Sequence, residues 1–112
     1  MDSEILVNEI CDALNSKKAQ DVLKINVTEK TTVADYFVIA SGRTMTQVRA
    51  LAENVEDIIE KKLGAVVRKR EGVNEGRWAV LDYGDVVVHI FNDEQRLFYH
   101  LERLWGEGER VE

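Results

Sequence analysis

The chain has 112 residues, 45% of them apolar and 32% charged, and its 21 acids outnumber 15 bases for a net charge of −6. That length makes one domain with one core, and no apolar run approaches the ~20 residues of a membrane-spanning helix. The acidic balance repels phosphate backbones, which argues against direct nucleic-acid binding; it fits a basic protein partner and equally well a simple gain in solubility, which composition does not separate.

The sequence opens Met1-Asp2-Ser3-Glu4, acidic where a targeting peptide is basic, so the expected location is the cytoplasm. Ser3 is a capping residue ahead of Ile5, Leu6, Ile10, Cys11 and Leu14, which share one helical face and predict a helix over residues 3–15. Cys11 is the only cysteine, which excludes an intrachain disulfide, and on this face it reads as a small core residue. Residues 21–27 alternate Leu23, Ile25 and Val27 with Lys24 and Asn26, the period of a half-buried strand. A polar turn follows. Residues 35–41 (DYFVIAS) are then apolar on both faces, predicting a strand in the middle of a covered sheet that Gly42 ends.

Thr44 or Thr46 can cap a long helix running to Leu63. Its inner face carries Val48, Leu51, Ala52, Val55, Ile58, Ile59 and Leu63, its outer face Glu53, Glu56, Asp57 and Glu60, and Gly64 is its stop. Val66-Val67 predicts the start of another strand, and the strand–helix–strand crossover predicts that this strand lies parallel to the one before the helix. Residues 77–82 (RWAVLD) and 86–91 (VVVHIF) predict two strands joined by Tyr83-Gly84-Asp85, with glycine supplying a positive φ. Asn92 or Asp93 is placed to cap a last helix that turns Leu97, Phe98, Leu101, Leu104 and Trp105 inward, with His100 at the edge of that stripe. The domain is drawn over residues 1–106, with 107–112 as a polar tail. The expected fold class is α/β (α+β), a mixed five-stranded sheet with flanking helices.

Few of these residues suit catalysis. Asp82 and Asp85 flank the hairpin turn, where acids can hold a divalent metal but more often accept backbone N–H bonds in the tight loop. His89 lies in a dense apolar strand with Val87 and Phe91 on its face, which favours a buried, hydrogen-bonded histidine over a general base. Ser41-Gly42-Arg43-Thr44 is a capping turn rather than a phosphate loop, because no Gly-x-x-x-x-Gly-Lys pattern accompanies it. The run Arg68-Lys69-Arg70 reads as a solvated edge strand. No metal site and no cofactor are expected. Trp78 opens its strand directly after a polar loop expected to be flexible; alternation puts Val80 and Asp82 on its face and Leu81 on the other, and the pattern leaves Trp78 open as either core or interface anchor.

Taken together, Lys18-Ala19-x-Asp21, Ala34-Asp35-Tyr36-Phe37-Val38-Ile39-Ala40-Ser41-Gly42, Gln47-Val48, Glu71-Gly72, Trp78-x-x-Leu81-Asp82-Tyr83-Gly84-Asp85-Val86-Val87-Val88-His89 and Arg96-x-x-Tyr99-x-Leu101-Glu102-x-Leu104-Trp105 resemble the Iojap-like ribosomal silencing family. The resemblance runs in order over most of the chain. It implies a non-catalytic factor that binds the large ribosomal subunit through its fourteenth protein, a basic one, and blocks subunit joining when nutrients are short. It implies a docking surface with Trp78 as apolar anchor, Leu81 and Tyr83 widening the contact, and Glu71, Asp82 and Asp85 pairing with bases of the partner. A homodimer of the free chain is expected on the same reading, while Arg96 and Glu102 are expected in structural ion pairs. The family's fold resembles that of nucleotidyltransferases, so the alternative is a magnesium-dependent enzyme. Against it, Ser41-Gly42 reverses the required Gly-Ser order, and Asp82 and Asp85 straddle a turn instead of alternating along one strand.

Overall fold

A computed structural model describes residues 2–92 and 109–110 of the chain. Helix α1 (Ser3–Ser16) is followed by β1 (Gln20–Asn26), β2 (Tyr36–Gly42), α2 (Met45–Leu63), β3 (Lys69–Glu71), β4 (Trp78–Asp82), β5 (Val86–Asn92) and β6 (Glu109–Arg110). The strands form one mixed sheet in the order β3-β4-β5-β2-β1-β6. The five expected strands are present. A sixth, of two residues, comes from what sequence alone assigns to a polar tail, and its backbone pairs antiparallel with β1 at Leu23 and Lys24. The expected last helix, with Arg96, His100 and Glu102, lies outside the described residues.

Local chemistry sets the start of each described helix and the end of α2. The cap of α1 is Asp2, one residue before the expected Ser3: its carboxylate accepts the Glu4 N–H at 2.8 Å, leaving Ser3 as the first helical residue. Thr44 caps α2, its Oγ1 accepting the Gln47 N–H at 3.0 Å while Gln47 Oε1 accepts the Arg43 N–H at 2.6 Å. Gly64 closes α2 at φ 66°, its N–H donating to the Glu60 carbonyl.

One expectation of topology needs correction. The strand after α2 begins at Lys69 and sits at the sheet edge, separated from β2 by two strands. It does run in the same direction as β2, because β3 and β4 are antiparallel, β4 and β5 are antiparallel, and β5 is parallel to β2. The neighbour of β2 is β5 for a physical reason. A central strand needs apolar side chains on both faces, which Val86–Asn92 supplies, whereas Lys69, Arg70 and Glu71 are all exposed and suit an edge.

Helices α1 and α2 cover one face of the sheet. Leu6, Val7, Ile10, Cys11 and Leu14 of α1 and Val48, Leu51, Ala52, Val55 and Ile59 of α2 pack there against Val38, Ala40, Ala79, Leu81, Val88 and Ile90. On the other face Ile25, Ile39, Val87 and Phe91 form a second buried cluster, bordered by half-buried Leu23, Phe37, Trp78 and Val80. Neither described helix is long and apolar enough to cross a membrane.

Candidate docking face

The hairpin of β4 and β5 decides which side chains meet. Its loop carries a positive φ at Gly84 (90°) and not at Asp85, the pattern a type II′ turn requires, and the Tyr83 N–H closes on the Val86 carbonyl at 2.9 Å. Register then follows by counting back: Asp82 faces Val87, Val80 faces His89, and Trp78 faces Phe91. Across the neighbouring strands, Lys69 faces Asp82, Glu71 faces Val80, Val87 faces Phe37, and His89 faces Ile39. Side chains opposite one another share a face. Trp78, Val80, Asp82, His89, Phe37 and Glu71 therefore stand together on the face turned away from α1 and α2.

This face is aromatic at its centre and charged at its rim. The Trp78 ring lies 4.9 Å from that of Phe91, tilted by 30°, and 6.0 Å from His89. Phe37 meets the His89 ring edge to face at 5.5 Å. The Trp78 Nε1–H donates to His89 Nδ1 at 3.1 Å. Burial among these rings holds the His89 imidazole well below its ordinary range, at about 4, so it is neutral at physiological pH. The hydrogen bond agrees with the expected reading of a structural histidine, although His89 is half-buried rather than fully buried. An uncharged imidazole whose Nδ1 already accepts a bond is a structural partner, not a poised base.

Of the expected contact residues, Trp78, Asp82 and Glu71 share the face, with Trp78 and Asp82 half-buried and Glu71 exposed. Asp85 is exposed at the hairpin loop. Two expectations fail. Leu81 has 0% exposure because alternation turns it to the helix side, and Tyr83 has 8% exposure. Burial first, and Glu56 and Glu60 of α2 next, raise the Tyr83 phenol far above its ordinary value, which places the ring beside the long helix. Neither side chain offers surface to a partner.

The turn reading of the acids holds for Asp82, whose Oδ1 accepts the Gly84 N–H at 2.7 Å. Among the described residues no three His, Cys, Asp or Glu side chains converge as a metal would need. The basic run is largely balanced on its own surface. Arg70 pairs with Glu56 at 3.1 Å and Lys69 with Glu71 at 3.2 Å, while Lys62 at the end of α2 pairs with Glu9 at 3.3 Å.

The loop before β4 is polar, but it is fastened at several points. Val73 is buried, the Gly76 N–H donates to the Gly72 carbonyl at 3.1 Å, and Arg49 reaches the Asn74 carbonyl at 3.1 Å. Gly72 adopts φ 69°, and a Cβ there would collide with the Trp78 carbonyl oxygen. Glycine is thus required for the loop to press against the start of β4, which fixes the backbone that carries Trp78.

Alternation puts Val80 with Trp78 and Phe91 with His89, but sequence reasoning did not bring these two pairs together with Phe37. The usable signal for the two pairs was the hairpin loop, since its length fixes the register that aligns Trp78 and Val80 with Phe91 and His89.

A family model described as "Ribosomal silencing factor during starvation" matches residues 1–112. The chain is 42% identical over 108 residues to a protein of Zymomonas mobilis named ribosomal silencing factor, covering 96% of this chain and 80% of that one. It is 38% identical over 108 residues to the Bacillus subtilis protein of the same name, covering 96% and 91%. A crystal structure of a Chromobacterium violaceum protein matches the fold with a TM-score of 0.91 at 30% identity, covering 99% of this chain and 92% of that one.

Proposed function

This chain belongs to the Iojap-like family of ribosomal silencing factors, and from that premise we propose that it docks on the large ribosomal subunit through the subunit's fourteenth protein and prevents the small subunit from joining. The single observation that carries the docking surface is Trp78, half-buried on an aromatic face with acids around it. An indole in that position can bury its remaining surface against a partner at little cost in side-chain order, because its ring is already packed.

The acids match a basic partner. Glu71 and Asp85 are exposed where lysine or arginine of a partner can reach them, and the net charge of −6 assists the approach. The Lys69–Glu71 pair is exposed on both sides, so exchanging Lys69 for a base of the partner costs little. Action by occupancy needs no bond made or broken, only a face held tightly enough to exclude a competitor. The factor works in the cytoplasm, where ribosomes assemble. The nucleotide-transfer alternative gains nothing from the geometry, since Asp82 is committed to its own turn. A homodimer of the free chain would use the same aromatic face through Trp78, without Tyr83, and would then compete with docking.

Sedimentation of the purified protein with separated large subunits, small subunits and whole ribosomes tests this directly. It should travel with large subunits and leave small subunits behind, and large subunits carrying it should fail to form whole ribosomes. Absence of binding to every particle would sink the proposal.

A further inference from the structure

Trp78 is held by a second residue that no docking role explains. His89 lies one strand over and two positions back from the residue facing Trp78, the diagonal neighbour on the same face, a separation that an aromatic side chain can bridge. The indole N–H can only donate, so the His89 Nδ1 that receives it at 3.1 Å must be unprotonated and the ring proton must sit on Nε2. Phe91 supports the same indole at 4.9 Å, and Phe37 meets the imidazole edge to face at 5.5 Å. The rings restrain the plane of the indole, while the hydrogen bond selects which edge of it turns inward.

We infer that His89 is a positioning residue for docking: its Nδ1 fixes the rotamer of Trp78 so that the indole N–H is satisfied inside the protein and the apolar rim is presented to the partner. The inference rests on the docking reading above and adds the device that prepares its anchor. Two consequences follow. The anchor carries no unpaired polar atom into the interface, where an unmet donor would weaken binding. The ordering of Trp78 is complete before the partner arrives, so binding does not have to supply it.

The test separates the hydrogen bond from the shape. His89→Phe keeps a ring but removes the acceptor, whereas His89→Asn keeps an acceptor near the position of Nδ1. Large-subunit affinity should fall roughly three- to tenfold in His89→Phe, the cost of ordering one side chain on binding, and should return to within ~twofold of wild type in His89→Asn if the acceptor is what matters. In the free wild-type protein, the Trp78 indole N–H resonance, assigned by its disappearance in Trp78→Phe, should exchange with solvent slowly. Exchange at the rate of an exposed indole would overturn the inference even if His89→Phe does not fold. If Trp78→Ala loses binding while His89→Phe keeps wild-type affinity, the positioning role is wrong and the docking face stands. If Trp78→Ala binds like wild type, the docking reading fails and this inference falls with it.

Discussion

Beneath α1 and α2, the sheet presents Val38, Ala40, Leu81, Val88 and Ile90 with no exposure at all, whereas the opposite face grades from sealed Ile39 and Phe91 to half-open Trp78, Val80 and Asp82. These residues of the first face are aliphatic side chains that fill space beneath the helices. The second mixes rings with polar atoms and keeps those atoms paired, as with Trp78 and His89. A face built purely for stability has no use for a half-exposed tryptophan tied to a neutral imidazole. The contrast separates residues that hold the fold from residues that present a surface, and substitutions on the two faces should fail in different ways.

The largest effect is expected on the sealed face. Leu81→Ala leaves a cavity among α2 and the sheet and should lower stability by about 2–5 kcal/mol in urea unfolding, with little change in affinity per folded molecule. A loss of binding with full stability would put Leu81 back among the contacts.

Next comes a pH dependence that belongs to the aromatic face. His89 titrates at about 4 when folded and near its ordinary 6.5 when unfolded. Between those values the unfolded chain binds the extra proton. The contribution is therefore complete above pH ~6.5 and is lost as pH falls through ~4, to a total of roughly 3 kcal/mol. Carboxylates titrate in part of the same window, so the measurement is the difference between wild type and His89→Phe unfolding curves across pH 4 to 7. Parallel curves would contradict the assignment.

On the helix side, Thr44→Ala removes the cap of α2 and should cost about 1 kcal/mol in the same assay, leaving docking untouched. The smallest effect is kinetic. Asp85→Lys should slow association with large subunits by roughly a factor of a few at low salt and flatten its salt dependence, with no change in stability. Equal rates at all salt concentrations would remove Asp85 from the docking face.

What the sequence made legible was local. The Thr44 and Gly64 boundaries of α2, the Gly84 turn, the central position of β2 and the edge character of Arg68-Lys69-Arg70 all follow from chemistry within a few residues of the feature. The cap of α1 was read one residue late because Asp2 and Ser3 are both good caps. The place of β3 was missed because a crossover gives direction but not neighbours, and two later strands enter between β2 and β3. At the candidate site, alternation correctly separated Trp78 and Asp82 from Leu81. The family motif nevertheless carried Leu81 and Tyr83 into the contact list, since adjacency in sequence does not report which side of a strand a residue faces. The Trp78–His89 pair required the register of β4 against β5, and no residue states that alone.

The central claim is that docking belongs to the aromatic face and stability to the helix-covered one. Its most direct test is the affinity of Trp78→Ala and Leu81→Ala for isolated large subunits, measured side by side at a temperature where both remain folded. The account predicts a loss of ~2 kcal/mol or more, about 30-fold, for Trp78→Ala and near wild-type affinity for Leu81→Ala. Wild-type binding by Trp78→Ala, or an equal loss in both, would contradict it.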